Sequence, residues 1–250
     1  MISVARECDL YHNFIYICNR NKFLMENKCM LCNYKSVAET KLTEAELGEL
    51  SCNCLTVSFK KGDSIIRQGT YSTNVAYLKS GLAKIHIEGP YHVQVVRIVK
   101  PANYLGLPTT FGDKVNQYSV TAVENSEVCF IDITYFRKLL TLNHDFSNQI
   151  IVELCKGEIE SYQKCVNRTQ KQVRGKVADV LLDFSDNIYR SDKFVVQINQ
   201  EDLGNLVDAS RESVSRVLND FSREGIIRIS GKEVEILNKE MLQMISKHGW

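Results

Sequence analysis

The sequence has almost no surplus of charge. Its 31 Lys and Arg residues face 30 Asp and Glu, for a formal +1. No overall polycation is therefore available to coat nucleic acid or an anionic membrane, and any such binding has to be local. No apolar run approaches the ~18–20 residues that a bilayer span requires. The opening stretch, MISVARECDLYHNFIYICNR, lacks the basic segment and unbroken apolar core of a signal peptide. These absences predict a soluble, cytoplasmic protein with no membrane partner. The five histidines, His12, His86, His92, His144 and His248, fall at no ligand spacing. There is also no Ser-His-Asp arrangement, phosphate loop or pair of acids in a plausible pocket, so the sequence gives no reason to expect an enzyme.

What is present is enough apolar material for two modest domains: 250 residues, 44% hydrophobic. Nine cysteines occur, at Cys8, Cys18, Cys29, Cys32, Cys52, Cys54, Cys129, Cys155 and Cys165. An odd set without an export signal predicts reduced thiols rather than a disulfide framework. Six of the nine lie in the first 54 residues, an unevenness that points to metal or redox chemistry near the start.

Four regions separate by pattern. Residues 1–41 are cysteine-rich and show no clean period. At 42–142, LTEAELGEL opens a folded unit with Thr43 as N-cap and Glu46 three residues on, a capping box. Short alternating segments then follow, with turn signals every 8–12 residues, the pattern of an all-β barrel or sandwich. Gly62, Gly69, Gly81, Gly89, Gly106 and Gly112 sit where tight turns call for positive φ. Residues 143–168 read as one long helix with Phe146, Ile150, Leu154, Tyr162 and Val166 near helical spacing. Its length favours pairing with a second copy over lying on its own β domain. Cys155 and Cys165 on this helix read as packing residues. Residues 169–250 hold helices, a short strand in KFVVQI, a hairpin turning near Ser230-Gly231 and a closing helix, the order of a winged helix-turn-helix. The junction run Lys164, Arg168, Lys171, Arg174, Lys176 is a local basic patch, either a solvated face or a phosphate contact.

The stretch DASRESVSRVLNDFSREG carries the most chemistry. On a helical wheel Val214, Val217, Leu218 and Phe221 fall within an arc of roughly 100° that faces a core. Arg211, Glu212, Ser215 and Arg216 fall in a separate arc of roughly 140°, with Ser210 as N-cap. A helix-turn-helix inserts the first turns of its second helix into the major groove. Arginine can donate to guanine there, glutamate can accept from cytosine, and serine can do either. The preceding helix contributes Leu203, Leu206 and Val207 to the core, while Gly204 allows close approach of the two helices. INQEDLGNLVDASRESVSRVLNDFSREGII resembles the DNA-binding signature of the CRP/FNR family, that of the cyclic-AMP receptor protein and the fumarate and nitrate reductase regulator. KKGDSIIRQGT through YLKSGLAKIHI resembles the family's β-roll sensor, and the likeness extends from about Leu42 to about Leu237.

The resemblance implies an α+β chain made of an antiparallel, cyclic-nucleotide-binding-like β-roll, a long dimerisation helix and a C-terminal winged helix-turn-helix. It implies a homodimeric transcription regulator that binds a near-palindromic site in double-stranded DNA, with RNA polymerase a candidate partner. Arg211, Glu212 and Arg216 fall on base-contacting positions of the receptor-protein branch, and Glu212, Ser215 and Arg216 on those of the other branch. Asp208 stands where the turn often has Gly, and Asp tolerates the left-handed region better than most residues.

For the signal, the phosphate cassette of the cyclic-nucleotide members is incomplete. Leu107-Pro108 follow Gly106, and Gln117-Tyr118-Ser119 lack the expected arginine, which argues against cAMP. Cys29 and Cys32 form a C-x2-C, and Cys129 matches the β-roll ligand of the iron–sulfur members. A fourth ligand would have to come from Cys18, Cys8, Cys52 or Cys54. An iron–sulfur or other metal site, thiol redox sensing by Cys29 and Cys32, and an unidentified ligand all stay open. So does Cys129 as a small buried hydrophobe. The rival to DNA reading is a β-roll sensor acting through protein partners, with the helix-turn-helix as a packing module.

Overall fold

The computed structural model describes residues 29–249. Cys8 and Cys18 lie outside the described residues. Helix α1 (Glu44–Cys52) begins at Thr43, whose hydroxyl accepts from the Glu46 N–H while the Glu46 carboxylate accepts from the Thr43 N–H, so the expected capping box is present. Eight strands follow: β1 (Cys54–Phe59), β2 (Ser64–Ile66), β3 (Asn74–Ser80), β4 (Ala83–Glu88), β5 (Val93–Val99), β6 (Asn103–Leu105), then α2 (Leu107–Gly112), β7 (Ser119–Ala122) and β8 (Ser126–Asp132). They form two four-stranded antiparallel sheets, ordered β1-β8-β3-β6 and β2-β7-β4-β5.

The β-roll has two apolar layers because β3 is buried on both sides. Ala76 and Leu78 face the other sheet with Ile85, Val99, Val120 and Val128. Val75 and Tyr77 face outward and are covered by helices. A strand covered on both faces loses the apolar–polar alternation, which is why NVAYLKS reads as a continuous apolar run. Of the glycines expected at positive φ, Gly62, Gly69, Gly81 and Gly106 have it, whereas Gly89 and Gly112 do not. Gly112 ends α2 in ordinary helical backbone. At Gly81 a Cβ would come within 2.3 Å of the Ser126 hydroxyl, so sterics and φ both require glycine there.

Helix α3 (Ile133–Leu142) starts at Asp132, whose carboxylate caps Thr134 and Tyr135. Asn143 then caps α4 (His144–Gln170), and its amide also donates to Lys41 O and to the Glu46 carboxylate. The long helix is thereby tied to the segment that precedes the roll. Phe146 and Ile150 are buried against the roll. Tyr104, Phe136 and Phe146 stack edge-on at 5.6 and 5.5 Å, each buried ring contributing roughly 1.5–3 kcal/mol. The rest of the helix's apolar stripe turns elsewhere: Ile151, Leu154, Ile159, Tyr162 and Val166 are exposed, as are Cys155 and Cys165. The spacing from Phe146 to Val166 thus merges two faces. The first two turns lie on the helix's own roll, and the apolar stripe beyond them stays exposed.

The C-terminal unit comprises α5 (Val173–Asp183), a π-turn over Phe184–Ile188, β9 (Lys193–Val195), α6 (Gln200–Val207), α7 (Arg211–Arg223), the hairpin β10 (Ile227–Ser230) and β11 (Glu233–Ile236), and α8 (Lys239–His248). The strand expected across KFVVQI is only three residues long and pairs with β11. Val177, Leu181, Leu203, Val214, Phe221 and Leu242 build this core, and Leu82 and Val123 of the roll join it. The two units therefore share an apolar junction. Polar ties flank it: Lys84 pairs with Asp202 at 2.5 Å, and Lys61 and Lys100 donate to Gln197 O and Asn187 O. Gln94 donates to Asn205 O.

Candidate DNA-reading surface and thiol pair

The two helices α6 and α7 meet at a turn set by three residues. Asp208 adopts the left-handed conformation, φ 54° and ψ 56°. Gly204 lets the turn close, since a Cβ would lie 2.7 Å from Ala209 O. Ser210 caps α7 by accepting from the Ser213 N–H. Val214 and Phe221 are fully buried, which fixes the roll of α7 about its axis.

That roll places Arg211, Glu212 and Arg216 in solvent with Ser215 half-buried among them, and Asn219, Ser222 and Arg223 continue the strip. Glu212 and Arg216 make no ion pair or hydrogen bond with any described residue. Arg211 makes one long bond, 3.3 Å, to the Gln200 side chain, and Arg223 pairs with Asp220. Beside the strip a cleft of about 530 Å³ separates α7 from the wing, with Arg211, Ser215 and Asn219 on one wall and Gly231 and Lys232 on the other. The four side chains expected to read a base edge lie together on one exposed surface.

The basic junction behaves differently. Arg168 donates to Val95 O and Val96 O of β5, and Lys171 donates to both oxygens of Asp179. Arg174 pairs with Glu224 and lies 4.8 Å above the Phe221 ring. Burial lowers the pKa of Lys164. Most of this run holds elements together and offers little to a phosphate. The acids that engage it come from elsewhere in the chain, out of reach of a local sequence reading.

In the phosphate cassette, the positions around α2 are filled by the protein's own groups. The Gly106 N–H donates to the Tyr118 hydroxyl. Thr109 donates to Asn116, Asn116 donates to Thr70, and Ser72 and Thr110 share a 2.5 Å bond.

Cys29 Sγ lies 3.7 Å from Cys54 Sγ, while Cys129 Sγ contacts Thr56 Oγ1 at 3.4 Å. The hydrogen bond to Cys29, then burial, pushes the Cys54 thiol well above the usual thiol range, and burial raises that of Cys129. Among the described residues no three His, Cys, Asp or Glu side chains come together as a metal site. The expected set Cys29, Cys32 and Cys129 is therefore not assembled as ligands by these residues alone. Cys54, one of four candidates for a further ligand, is the residue that meets Cys29.

Glu39 lies behind this pair, 6% exposed, accepting from the Ser36 N–H and the Tyr104 hydroxyl. Burial pushes its carboxyl up to about 7. Nothing in its local sequence distinguishes it from a surface glutamate. No helix among the described residues is long and apolar enough to cross a membrane.

Comparison with known proteins agrees with this geometry. Residues 56–143 match the cyclic nucleotide-binding domain family and residues 175–245 the Crp-like helix-turn-helix domain family. The chain is 26% identical over 186 residues to the transcriptional activator protein FnrA of Stutzerimonas stutzeri, covering 72% of this chain and 75% of that one. It is 25% identical over 191 residues to a CRP-like cAMP-activated global transcriptional regulator of Mycobacterium tuberculosis, covering 74% and 85%. FixK2 from Bradyrhizobium japonicum superposes with a TM-score of 0.71 at 16% identity, over 76% of this chain and 96% of that one, a likeness of fold. The named relatives are transcription regulators, not enzymes.

Proposed function

Given that the chain belongs to the CRP/FNR family of transcription regulators, we propose that it binds a near-palindromic site in double-stranded DNA as a homodimer through Arg211, Glu212, Ser215 and Arg216. The observation that carries this reading is the unengaged polar strip at the start of α7: Glu212 and Arg216 are exposed and pair with no described residue, on a helix whose opposite face is locked in a core. A packing helix would have no use for uncompensated charge there, whereas base edges offer matching donors and acceptors.

The dimer follows from α4. Ile151, Leu154, Ile159, Tyr162 and Val166, with Cys155 and Cys165, fall within about 140° of one another on the helical wheel. A stripe of this length on a 27-residue helix suits a parallel pair with a second copy. Two α7 helices would then face successive major grooves. Contact with RNA polymerase belongs to this reading as the route from DNA binding to transcription. The signal enters through the roll or the segment before it, and cAMP is disfavoured. The Gly106 N–H is taken by Tyr118, and no arginine stands at Gln117-Tyr118-Ser119 to offset a buried phosphate. An iron–sulfur or other metal site would have to add one of Cys8, Cys18, Cys52 or Cys54 to Cys29, Cys32 and Cys129.

Selection from random duplexes with the purified full chain tests the reading. Enrichment of a motif with two inverted half-sites is expected. Failure to enrich any motif, together with capture of a protein partner that survives substitution of Glu212 and Arg216, would replace it with the protein-partner alternative.

A further inference from the structure

We propose that Cys29 and Cys54 are a reversible thiol–disulfide pair that staples the segment preceding α1 to strand β1. The sulfurs are 3.7 Å apart in the structure, and bonding needs about 2.05 Å, so roughly 1.7 Å of approach closes the bridge. The two sides differ in stiffness. Cys54 opens β1, which is held in register along β8 from Cys54↔Ile131 to Phe59↔Ser126. Cys29 lies outside any sheet, in the segment before α1, and is tied to that helix by its N–H donating to Ser51 Oγ at 2.9 Å. Both thiols are half-buried, open to a small oxidant but shielded from bulk solvent.

The choice of partner is geometric. Cys32 sits across a turn from Cys29, joined to it by its N–H on Cys29 O at 3.4 Å, whereas it is the Cys54 sulfur that approaches the Cys29 sulfur to 3.7 Å. Cys129 is one strand away on the same sheet, engaged with Thr56. Cys52 is exposed, and Cys155 and Cys165 lie on α4. The C-x2-C spacing points to Cys32, whereas the sulfur–sulfur contact in the structure is with Cys54.

A hydroperoxide completes the chemistry. One thiolate attacks an oxygen of the peroxide, the O–O bond breaks, and the departing oxygen leaves as water or alcohol with a proton from the medium. The resulting sulfenic acid is attacked by the second thiol, the S–O bond breaks, the S–S bond forms and water leaves. Two thiols supply two electrons and hydrogen peroxide accepts them, giving one disulfide and two waters. A cellular dithiol reverses the reaction.

The staple would act where the long helix is seated. Cys29, Met30, Ala38, Leu42 and Cys54 pack in one cluster with Phe146 and Ile150, the two α4 residues that rest on the roll. Closing the bridge fixes this base. A change in DNA affinity on oxidation is therefore expected, and that consequence rests on the DNA-binding reading above.

The experiment treats the full chain with graded hydrogen peroxide, alkylates remaining thiols and maps peptides under non-reducing conditions. A Cys29–Cys54 cross-linked peptide is expected, with loss of two titratable thiols, full reversal by dithiothreitol, and a rise of several degrees in the melting temperature. Cys32→Ser should retain the cross-link, whereas Cys29→Ser and Cys54→Ala should each abolish it. A dominant Cys29–Cys32 bridge, a bridge from Cys29 to Cys8 or Cys18, or over-oxidation without any bridge overturns the proposal. Should the Cys54 variant fail to fold, dibromobimane on the native protein provides the second measurement. A fluorescent cross-link mapped to Cys29 and Cys54 supports the pairing, and a cross-link elsewhere refutes it. DNA affinity of the oxidised and reduced forms is read separately. A change of at least fivefold supports the regulatory consequence, unchanged affinity with the bridge formed refutes that consequence alone, and absence of DNA binding in both states counts against the DNA-binding reading and not against the bridge.

Discussion

Two charged strips, one wholly basic and one of mixed sign, sit within fifty residues of each other, and the structure uses them in opposite ways. At the α4–α5 junction Arg168, Lys171 and Arg174 are bound to backbone oxygens, to Asp179 and to Glu224. On α7 Arg216 and Glu212 are exposed and have no partner among the described residues. The contrast teaches that the number of charges on a face says little about what that face meets. What separates a structural run from a recognition surface is whether the fold has already supplied counter-groups. The same distinction divides α4, where Phe146 and Ile150 are packed and Ile151 to Val166 are not.

The strongest way to break the comparison is to place a charge on the unpacked half of α4. Ile159, 56% exposed in the single chain, should be buried in the dimer. Ile159→Asp would then bury a carboxylate against its twin across the axis, costing about 4 kcal/mol or more of association. Sedimentation should show a folded monomer at micromolar concentration, with DNA affinity down by over about 100-fold. An unaltered dimer would mean that the stripe faces something else.

A smaller effect, about 3 kcal/mol, is expected from an engaged group whose ionisation the fold opposes. Glu39 is buried beside Tyr104 and Ser36, with Glu153 of α4 and Cys29 adding negative potential, and its carboxyl is raised to about 7 against 4.5 unfolded. The native state therefore holds its proton more tightly than the unfolded chain does. Its contribution is fully present below pH 4.5 and is lost as pH rises to 7, a change of ~3 kcal/mol at 1.36 kcal/mol per pH unit. Denaturant midpoints at pH 5 and pH 8 should fall with rising pH in the wild type, and Glu39→Gln should flatten that slope. An equal slope in the variant would show that Glu39 is ionised in the native state throughout.

On the unengaged side, Arg216→Ala should cost about 1–3 kcal/mol of affinity for the selected duplex and relax the preference at one base pair in each half-site. Folding stability should stay within about 0.5 kcal/mol, because Arg216 is exposed and has no hydrogen bond or ion pair with a described residue. Paired titrations on selected and scrambled duplexes check this, and a uniform loss on both would reassign Arg216 from base to phosphate.

Elements whose pattern is local were legible in the sequence. Thr43 and Glu46 announce α1, Asp208 the left-handed turn, Ser210 the start of α7, and Val214 and Phe221 its buried face. What was illegible depends on partners distant in the chain. Lys171 meets Asp179 nearly two turns into the next helix, and Arg174 meets Glu224 fifty residues on, so a run without local acids read as an available patch. Cys29 meets Cys54 across the start of the roll, a contact that no spacing rule encodes. Gly89 and Gly112 resemble turn glycines by position, yet hairpin and helix backbone accommodate them at negative φ. The four α7 residues were visible because a helical wheel is a local device, and their lack of partners only because the whole fold is in place.

The smallest effect comes from the engaged run and completes the contrast. Arg174 lies over the Phe221 ring at 4.8 Å and pairs with Glu224, so it bridges α5 to the last turn of α7. It is partly buried, and a partly desolvated cation over a ring contributes about 1 kcal/mol, the half-exposed ion pair somewhat less. Arg174→Ala should therefore lower stability by about 1 kcal/mol while leaving base preference intact. Raising salt should weaken DNA binding by the variant and the wild type with the same slope, since no phosphate contact is lost. A shallower slope in the variant would place Arg174 on the DNA backbone and remove the distinction between the two charged strips.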